Sequence, residues 1–269
     1  MRVLIISDME GVAGISRWEQ VSAGASGYEE GRRLYTGEIN ATVRGAFAGG
    51  ASEVVVMDCH GAGGDWSFNS LIPEALDPRC EFVVQTRWTE YTAMLEHGCD
   101  VALLVGQHAR AGSADGVLSH TVSSTRWHNL RFNGSRVGEV AINAALCGTW
   151  GTPVALVTGD DVVCREAGEL LGPRLRTLAV KQGLGRFSAR HLPPARARVL
   201  LEAAARDALA DVRDAPVYDP GTPCTIEVEL ATPDDADAFR HRAGVDVTGP
   251  RTVRSTAASW WEAWRAIYL

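Results

Sequence analysis

Short runs of apolar residues alternate with longer segments in which apolar positions recur at helical spacing. An unbroken apolar run is typical of a strand buried on both faces of a parallel sheet. Such runs predict strands at residues 3–6, 53–57, 82–85, 101–105 and 153–157. Helical spacing predicts helices at residues 28–49, 90–97, 139–146 and 165–171, and Asn133-Gly134 predicts a tight hairpin. Strands that alternate with helices predict an α/β fold with a mostly parallel sheet and flanking helices.

The last part of the chain follows a different pattern, and the change comes at Pro193-Pro194. Proline suits the first turn of a helix and ends the element before it. The elements predicted beyond it are helices at residues 195–212, 234–242 and 257–267 and strands at residues 224–230 and 251–255. We therefore expect an α/β domain in residues 1–192 and a smaller α+β unit in residues 193–269.

Polar side chains follow several of the predicted strands. Asp8 and Glu10 come directly after the first strand, His60 follows the second, and His108 follows the fourth. Ligands of open parallel sheets bind beyond the carboxyl ends of the strands. Residues two apart in an extended chain point to the same side, so Asp8 and Glu10 converge, and converging carboxylates repel each other unless a cation lies between them. This edge of the sheet is the predicted functional site.

A metal site in the first domain would use the strand-end residues together with Glu139, which lies at a predicted helix start. The candidate ligands are Asp8, Glu10, His60, His108 and Glu139. Two imidazoles with three carboxylates favour zinc over calcium or magnesium, which prefer oxygen ligands alone. Five ligands exceed the need of one catalytic zinc, and a pair of ions bridged by Asp8 would use them all. Each residue alone has an ordinary structural explanation, so only their joint occurrence indicates a metal.

Other polar residues in the region have less specific interpretations. His120 lies in a loop beyond His108, where it is a candidate for a further ligand, a general acid or base, a nucleophile or a packing residue. Asp58, Asp160 and Asp161 also lie at strand ends. Carboxylates in such places often orient metal-bound histidines, so these three are candidates for that role.

The composition excludes several classes of partner. The formal charge is −7 and the sequence has no block of basic residues, so nothing favours binding of nucleic acid or a membrane surface. Six scattered cysteines without a Cys-x-x-Cys pair indicate reduced thiols. The sequence has neither the apolar core of a signal peptide nor a stretch long enough to span a membrane. We therefore expect a cytoplasmic protein.

Several motifs resemble, in the same order, those of the zinc-dependent D-aminopeptidases, a family of metallopeptidases. The motifs are Ser7-Asp8-Met9-Glu10-Gly11, Asp58-Cys59-His60, Gly106-Gln107-His108-Ala109-Arg110-Ala111, Ser119-His120, Val137-Gly138-Glu139, Gly159-Asp160-Asp161 and Val180-Lys181-Gln182. They span most of residues 1–192, and the rest of the chain adds only a matching overall length.

This resemblance implies a site with two zinc ions per subunit. The implied ligands are Asp8 as the bridge, Glu10 and His60 on one ion, and His108 and Glu139 on the other. His120 matches a position that acts directly in catalysis. The implied reaction is hydrolysis of short peptides with an N-terminal D-residue, D-Ala-D-Ala among them, by a water that the two ions activate. The resemblance also implies a homo-oligomer, a decameric ring.

Two other functions remain open at this point. A two-metal phosphoesterase would use a similar Asp and His site, and only Arg110 and Lys181 would supply the positive charge that a phosphate needs. A non-catalytic peptide-binding relative would keep the cleft without the chemistry, although an intact ligand set argues against it. In a peptidase, Arg110 or Lys181 would instead bind the terminal carboxylate of the peptide.

Overall fold

The computed structural model describes residues 1–210 and 212–269. The strands are β1 (Arg2–Ser7), β2 (Glu53–Asp58), β3 (Glu81–Val83), β4 (Val101–Gln107), β5 (Trp127–Phe132), β6 (Ser135–Val137), β7 (Val154–Asp160), β8 (Arg176–Gly185), β9 (Ser188–His191), β10 (Cys224–Leu230), β11 (Asp246–Gly249) and β12 (Thr252–Ala257). The α-helices are α1 (Tyr28–Ala48), α2 (Ala93–Glu96), α3 (Glu139–Thr149), α4 (Asp161–Leu171), α5 (Pro194–Ala210), α6 (Pro233–Asp237) and α7 (Trp260–Tyr268).

Seven strands form one sheet in the order β3-β2-β1-β4-β7-β8-β9. All neighbours in it are parallel except β9, which runs antiparallel to β8. The apolar run Val3-Leu4-Ile5-Ile6 of β1 is fully buried, as expected for a central strand covered on both faces. The predicted fold class, a mostly parallel sheet with flanking helices, is confirmed.

The other five strands form an antiparallel sheet in the order β11-β12-β10-β5-β6. Its hairpin β5–β6 turns at Asn133 and Gly134, whose φ angles of 46° and 83° suit a two-residue hairpin turn, so the predicted hairpin is confirmed. Helix α5 packs on α1, where a Cβ atom on Gly45 would lie 2.2 Å from the carbonyl oxygen of Glu202. Elements from both sides of residue 193 thus meet in the antiparallel sheet and in the packing of α5 on α1, and the division into two domains stays a prediction.

The predicted helix at residues 90–97 is wrong over its first part, because α2 begins only at Ala93. The carboxylate of Glu90 accepts hydrogen bonds from the backbone N–H groups of Thr86 and Arg87. Side chains that bond the local backbone in this way compete with a helix. The segment therefore forms a loop that leads into a single helical turn.

Two further differences concern the second half of the chain. The predicted helix at residues 234–242 ends at Asp237, and the chain continues as turns closed by bonds between residues three apart. The predicted helix at residues 195–212 ends at Ala210, and residue 211 lies outside the described part of the chain. Strands β8 and β9 were not predicted, because polar residues interrupt their apolar positions.

An aromatic cluster joins α7 to the rest of the molecule. Trp264 is fully buried, donates its indole N–H to Thr89 Oγ1 at 2.8 Å and packs edge-on against Trp88 at 6.2 Å. Tyr268 stacks on Trp264 at 5.0 Å. This packing brings the end of α7 to the carboxyl edge of the seven-stranded sheet. All six cysteines are free thiols, as predicted.

Within residues 1–210 and 212–269, no helix is long and apolar enough to cross a membrane.

Candidate metal centre

The carboxyl ends of three neighbouring strands bring the predicted ligands together. Asp8 follows β1, His60 lies two residues beyond β2, and His108 comes directly after β4. Because β1 pairs with both β2 and β4, these side chains meet at one place on the sheet edge. Glu10 lies two residues beyond Asp8, and Glu139 is the first residue of α3. All five residues are buried, with exposed fractions of 2–6%.

Two glycines allow the turns after β1 and β4 to approach each other. Gly106 has a φ of 72°, and a Cβ atom there would lie 2.0 Å from the Asp8 carbonyl oxygen. Gly11 donates its N–H to the Gly106 carbonyl oxygen at 2.8 Å, and a Cβ atom on Gly11 would lie 2.0 Å from the Gln107 carbonyl oxygen. A larger residue at either position would push Asp8 away from β4.

The Asp8 carboxylate lies between two histidine rings. Its Oδ1 is 3.2 Å from Nδ1 of His60, and its Oδ2 is 3.4 Å from Nε2 of His108. A second carboxylate completes each side, with Glu10 Oε2 3.0 Å from His60 Nδ1 and Glu139 Oε2 3.4 Å from His108 Nε2. The structure therefore places the five side chains in two groups that share Asp8. That they bind metal stays a prediction.

Each histidine ring at the site gives one nitrogen to a backbone carbonyl and turns the other toward carboxylates. The carbonyl partners are Val21 for His60 at 2.7 Å, Ala109 for His108 at 3.0 Å and Leu118 for His120 at 2.9 Å. An N–H donated to a carbonyl fixes the tautomer and leaves a lone pair on the second nitrogen. Histidines that bind metals are commonly held in this way.

Two buried polar atoms at the centre, Glu10 Oε2 and His108 Nε2, make no well-oriented hydrogen bond to the described residues, although oppositely charged groups lie 3.0–3.4 Å away. Such atoms are rare in native proteins and cost stability unless an ion or water satisfies them. Donor atoms of Asp8, Glu10 and His108 all lie within 4.8 Å of one another, and those of His108, His120 and Glu139 form a second such group. This donor set of carboxylates and imidazoles fits zinc, and it leaves His120 open as a ligand.

Burial and neighbouring charges both shift the pKa values of the groups in the cluster. Burial and the neighbouring Glu10 raise the pKa of Asp8 to about 7. Burial lowers the pKa of His60, but Glu10 and Asp8 outweigh burial and hold that pKa well above its ordinary value. The pKa of His108 is likewise raised, by Glu139 and Asp8 against the effect of burial. Without a cation, the histidines take up protons and so balance the negative charge of the carboxylates. The cluster is therefore an environment that favours positive charge.

His120 lies beside this cluster, and its ring contacts two other aromatic rings. The ring stacks on His108 with 4.0 Å between ring centres, and Trp18 meets it edge-on at 5.5 Å. Its Nε2 is 3.7 Å from Glu139 Oε1. Burial, and then the neighbouring His108, lower the pKa of His120, so the ring is neutral at pH 7.

The backbone on each side of His120 has an unusual conformation. Leu118 and Val122 have φ angles of 52° and 62°. The left-handed region is uncommon for side chains of this kind and costs about 1–3 kcal/mol per residue. The Val122 N–H donates to Glu139 Oε1 at 2.7 Å, which ties the strained loop to a predicted ligand. Strain of this kind is concentrated at functional sites.

Lys181 is buried, and its predicted role in binding a substrate carboxylate is wrong. Its Nζ donates to the carbonyl oxygens of Glu10, Val12 and Ile15 at 2.5–3.0 Å. Burial lowers the pKa of Lys181 to about 8, so it remains a cation at neutral pH. Its three ammonium hydrogens are all used, and Lys181 fastens the loop that carries Glu10.

Lys181→Met is expected to lower the free energy of unfolding by about 2–3 kcal/mol, because three carbonyl oxygens lose a buried donor. Urea unfolding of chelator-treated protein measures this change. The matched control is Gln182→Met, an exposed neighbour on β8, which should stay within about 0.5 kcal/mol of the wild type. Equal stability of Lys181→Met and the wild type would mean that this contact does not hold the loop.

Three aspartates do not take their predicted place behind a histidine ring, and that prediction is wrong. Asp58 accepts a hydrogen bond from the backbone N–H of His60 at 3.0 Å and so holds the loop after β2. Asp160 caps α4, and Asp161 accepts an N–H from the backbone of β8 at 2.8 Å. The three carboxylates stabilise the backbone around the site, and the rings are held by carbonyl groups instead.

Three aromatic residues next to the cluster were missed by the sequence analysis. Phe68, Trp88 and Tyr268 line a cavity of about 50 Å³ whose other walls include Glu10 and Glu139. They come from a loop after β2, a loop after β3 and the end of α7. Because these segments are far apart in the chain, no local pattern connects them.

Comparisons with known proteins are consistent along the whole chain. A family model described as D-aminopeptidase matches residues 1–269. A D-aminopeptidase of Bacillus subtilis (strain 168) is 34% identical over 274 residues, which cover 100% of this chain and 96% of that protein. A solved structure described as Zn-dependent D-aminopeptidase DppA from Bacillus subtilis, a self-compartmentalizing protease, aligns with a TM-score of 0.91 and 31% identity over 99% of this chain and 95% of that one.

Proposed function

We propose that this chain, which belongs to the D-aminopeptidase family, is a zinc-dependent aminopeptidase that hydrolyses short peptides with an N-terminal D-residue, of the D-Ala-D-Ala type. The observation that carries the proposal is the arrangement around Asp8. Imidazole nitrogens of His60 and His108 face its two oxygens at 3.2 and 3.4 Å, and a further carboxylate completes each side.

The site has the donors for two zinc ions per subunit. Asp8 would bridge them, Glu10 and His60 would hold one, and His108 and Glu139 would hold the other. Zinc in such a site lowers the pKa of a water molecule and polarises the scissile carbonyl group. The orphaned Glu10 Oε2 and His108 Nε2 support this assignment, because bound cations would satisfy both.

His120 is the residue placed to move a proton. Its Nδ1–H is donated to the Leu118 carbonyl oxygen, so the neutral ring presents a free Nε2 on the side of Glu139. A neutral Nε2 can take the proton released by the nucleophilic water and return it to the nitrogen of the leaving amine. A cation nearby would lower the pKa of His120 further, in the same direction as burial and His108.

The aromatic cavity supports a small N-terminal side chain. Phe68, Trp88 and Tyr268 wall a cavity of about 50 Å³ that is also lined by proposed zinc ligands, so little space would remain for a side chain beside bound ions. Trp88 is fixed by a hydrogen bond from its indole N–H to Asn143 Oδ1 at 3.1 Å and by edge-on contact with Tyr268 at 6.1 Å. Rigid aromatic walls around a small space favour alanine over larger residues.

No observation favours the alternative functions. Of the two cations named for phosphate binding, Lys181 is bound to three backbone carbonyls, and Arg110 pairs with Glu166 at 2.7 Å. The comparisons give no support to a phosphoesterase. A non-catalytic relative would tolerate loss of a ligand, whereas all five predicted ligands are present and face one another.

Assembly and location extend this proposal. The solved relative is described as self-compartmentalizing. We propose that this chain also forms a homo-oligomer, a decameric ring, that encloses its sites and admits small peptides. A cytoplasmic location stays a prediction. Size-exclusion chromatography with light scattering measures the oligomeric state.

The test of function is hydrolysis of matched dipeptides by protein that has been loaded with zinc, stripped with a chelator or reloaded. We expect release of D-alanine from D-Ala-D-Ala, slower cleavage of L-Ala-L-Ala and of D-Leu-D-Ala, loss with the chelator and recovery with zinc. Elemental analysis of the loaded protein should find about two zinc ions per subunit.

The remaining outcomes separate the parts of the proposal. Chelator-sensitive cleavage of L-dipeptides alone would keep the metal site and reject the D-preference. Cleavage of a phosphate diester but of neither dipeptide would replace the peptidase with a phosphoesterase. Full activity after chelation would reject the metal site.

A further inference from the structure

A second cleft opens on the other side of His120 and has no role in the site described above. It has a volume of about 620 Å³ and is open to solvent. Its walls come from the loop that carries His120, the start of β5 and the turn between β8 and β9. Arg186, in that turn, also lines the cleft. His120 lines both this cleft and the small aromatic cavity, so the two spaces adjoin at its ring.

The guanidinium group of Arg186 is held beside the backbone of His120. Its Nε donates to the Ser119 carbonyl oxygen at 3.2 Å. Its Cζ lies 5.5 Å from the ring centre of Trp18 and 5.6 Å from that of Phe187. Stacking on two rings leaves a guanidinium group oriented and able to donate through its two remaining nitrogens.

The turn that carries Arg186 is attached to the loop of His120 by the main chain as well. The Arg186 carbonyl oxygen accepts the N–H of Leu118 at 2.8 Å. Leu118 also accepts the Nδ1–H of His120 through its own carbonyl oxygen at 2.9 Å. The backbone of Leu118 therefore bonds to both Arg186 and His120, which sets their relative placement.

Arg186 differs from the other cations near the site. In the part of the chain that the structure describes, no carboxylate lies within 4.0 Å of its guanidinium nitrogens, although Arg110 is paired with Glu166 at 2.7 Å. Lys181 has no free hydrogen. An oriented arginine without an acidic partner in a cleft is suited to bind a carboxylate from a ligand.

We infer that Arg186 binds the free carboxylate of the leaving residue in a dipeptide substrate. This inference rests on the proposed function. The leaving nitrogen of a dipeptide is separated from the terminal carboxylate by a single α-carbon, and His120 is the residue proposed to protonate that nitrogen. A carboxylate beside His120 on the cleft side therefore meets Arg186. Each additional residue would carry the carboxylate about 3.5 Å farther along the chain, away from this position.

The test compares two substrates that differ only in this carboxylate: D-Ala-D-Ala and its C-terminal amide. For zinc-loaded Arg186→Ala we expect kcat/KM for D-Ala-D-Ala to fall by about 10- to 100-fold, mostly through KM, because a charged hydrogen-bond pair is lost. The amide should change by less than about threefold, since it has no charge to bind. Arg186→Lys should recover part of the activity on D-Ala-D-Ala and leave the amide unchanged.

The matched control is Arg190→Ala, an exposed arginine on β9 in the same hairpin, which should behave as wild type on both substrates. Equal losses of Arg186→Ala on the dipeptide and the amide would overturn the inference, because they would indicate a structural role. No loss on either substrate would overturn it as well. Wild-type protein that cleaves neither substrate would instead contradict the proposed peptidase itself.

Discussion

Asp8→Asn is expected to lower kcat/KM for D-Ala-D-Ala by about 10³-fold or more, since metal ions supply several kcal/mol of transition-state stabilisation and the variant cannot hold both. The side-chain amide of the variant has a single neutral oxygen, so it cannot offer one anionic oxygen to the ion on the His60 side and another to the ion on the His108 side. The zinc content should fall from two ions per subunit to one or fewer. Elemental analysis and dipeptide hydrolysis on the same preparation measure both effects.

Thermal unfolding separates loss of metal from loss of fold in this variant. In chelator-treated protein the substitution removes one of three buried carboxylates that repel each other, so the metal-free Tm should be equal to or above that of the wild type. Added zinc should raise the Tm of the wild type and raise that of the variant much less, because ligands stabilise only the state that binds them.

The matched control for this experiment is Asp65→Asn, an exposed aspartate in the loop after His60. It should retain two zinc ions and wild-type turnover. An Asp8→Asn protein that binds two zinc ions and turns over normally would show that Asp8 is not the bridge. A low metal-free Tm in the variant would point to a structural role for the carboxylate.

The sequence was sufficient to predict the parallel sheet and the residues that meet at its edge. Buried strands can be predicted from apolar runs. The residue that follows each run lies at the carboxyl end of that strand, whatever conformation the following loop adopts. Asp8, His60 and His108 follow from this rule, and Glu139 from its place at a helix start. Strands β8 and β9 do not, because their faces differ in exposure and the apolar run is interrupted.

The contacts that orient the site could not be predicted in this way. Val21, Ala109 and Leu118 act through carbonyl groups, and a carbonyl carries no information about residue type. The role of Lys181 depends on burial, since the same side chain at the surface would be free to bind substrate. Tyr268 reaches the site only because an aromatic cluster docks α7 against the loop of Trp88. Tertiary packing decides each of these, and local sequence does not record it.

His120→Ala is expected to lower kcat for D-Ala-D-Ala by about 10²- to 10⁴-fold, the usual contribution of a general acid or base, while both zinc ions stay bound. The five proposed ligands are untouched, and the ring leaves a space next to His108 and Trp18 without breaking a bond to Asp8. His241→Ala, which removes an exposed histidine, is the control and should be as active as wild type.

The chemistry of the leaving group decides among the roles open to His120. If Nε2 returns a proton to the leaving amine, the loss in His120→Ala should be much smaller for D-alanine p-nitroanilide, whose leaving group needs little protonation, than for D-Ala-D-Ala. If His120 is the nucleophile, His120→Ala should instead lose activity equally on both substrates, because the carbonyl group of each must be attacked. If His120 is a metal ligand, His120→Ala should bind less zinc. The close spacing of His108, His120 and Glu139 is compatible with this role. Near-normal turnover with both ions bound would exclude a catalytic role for His120 altogether.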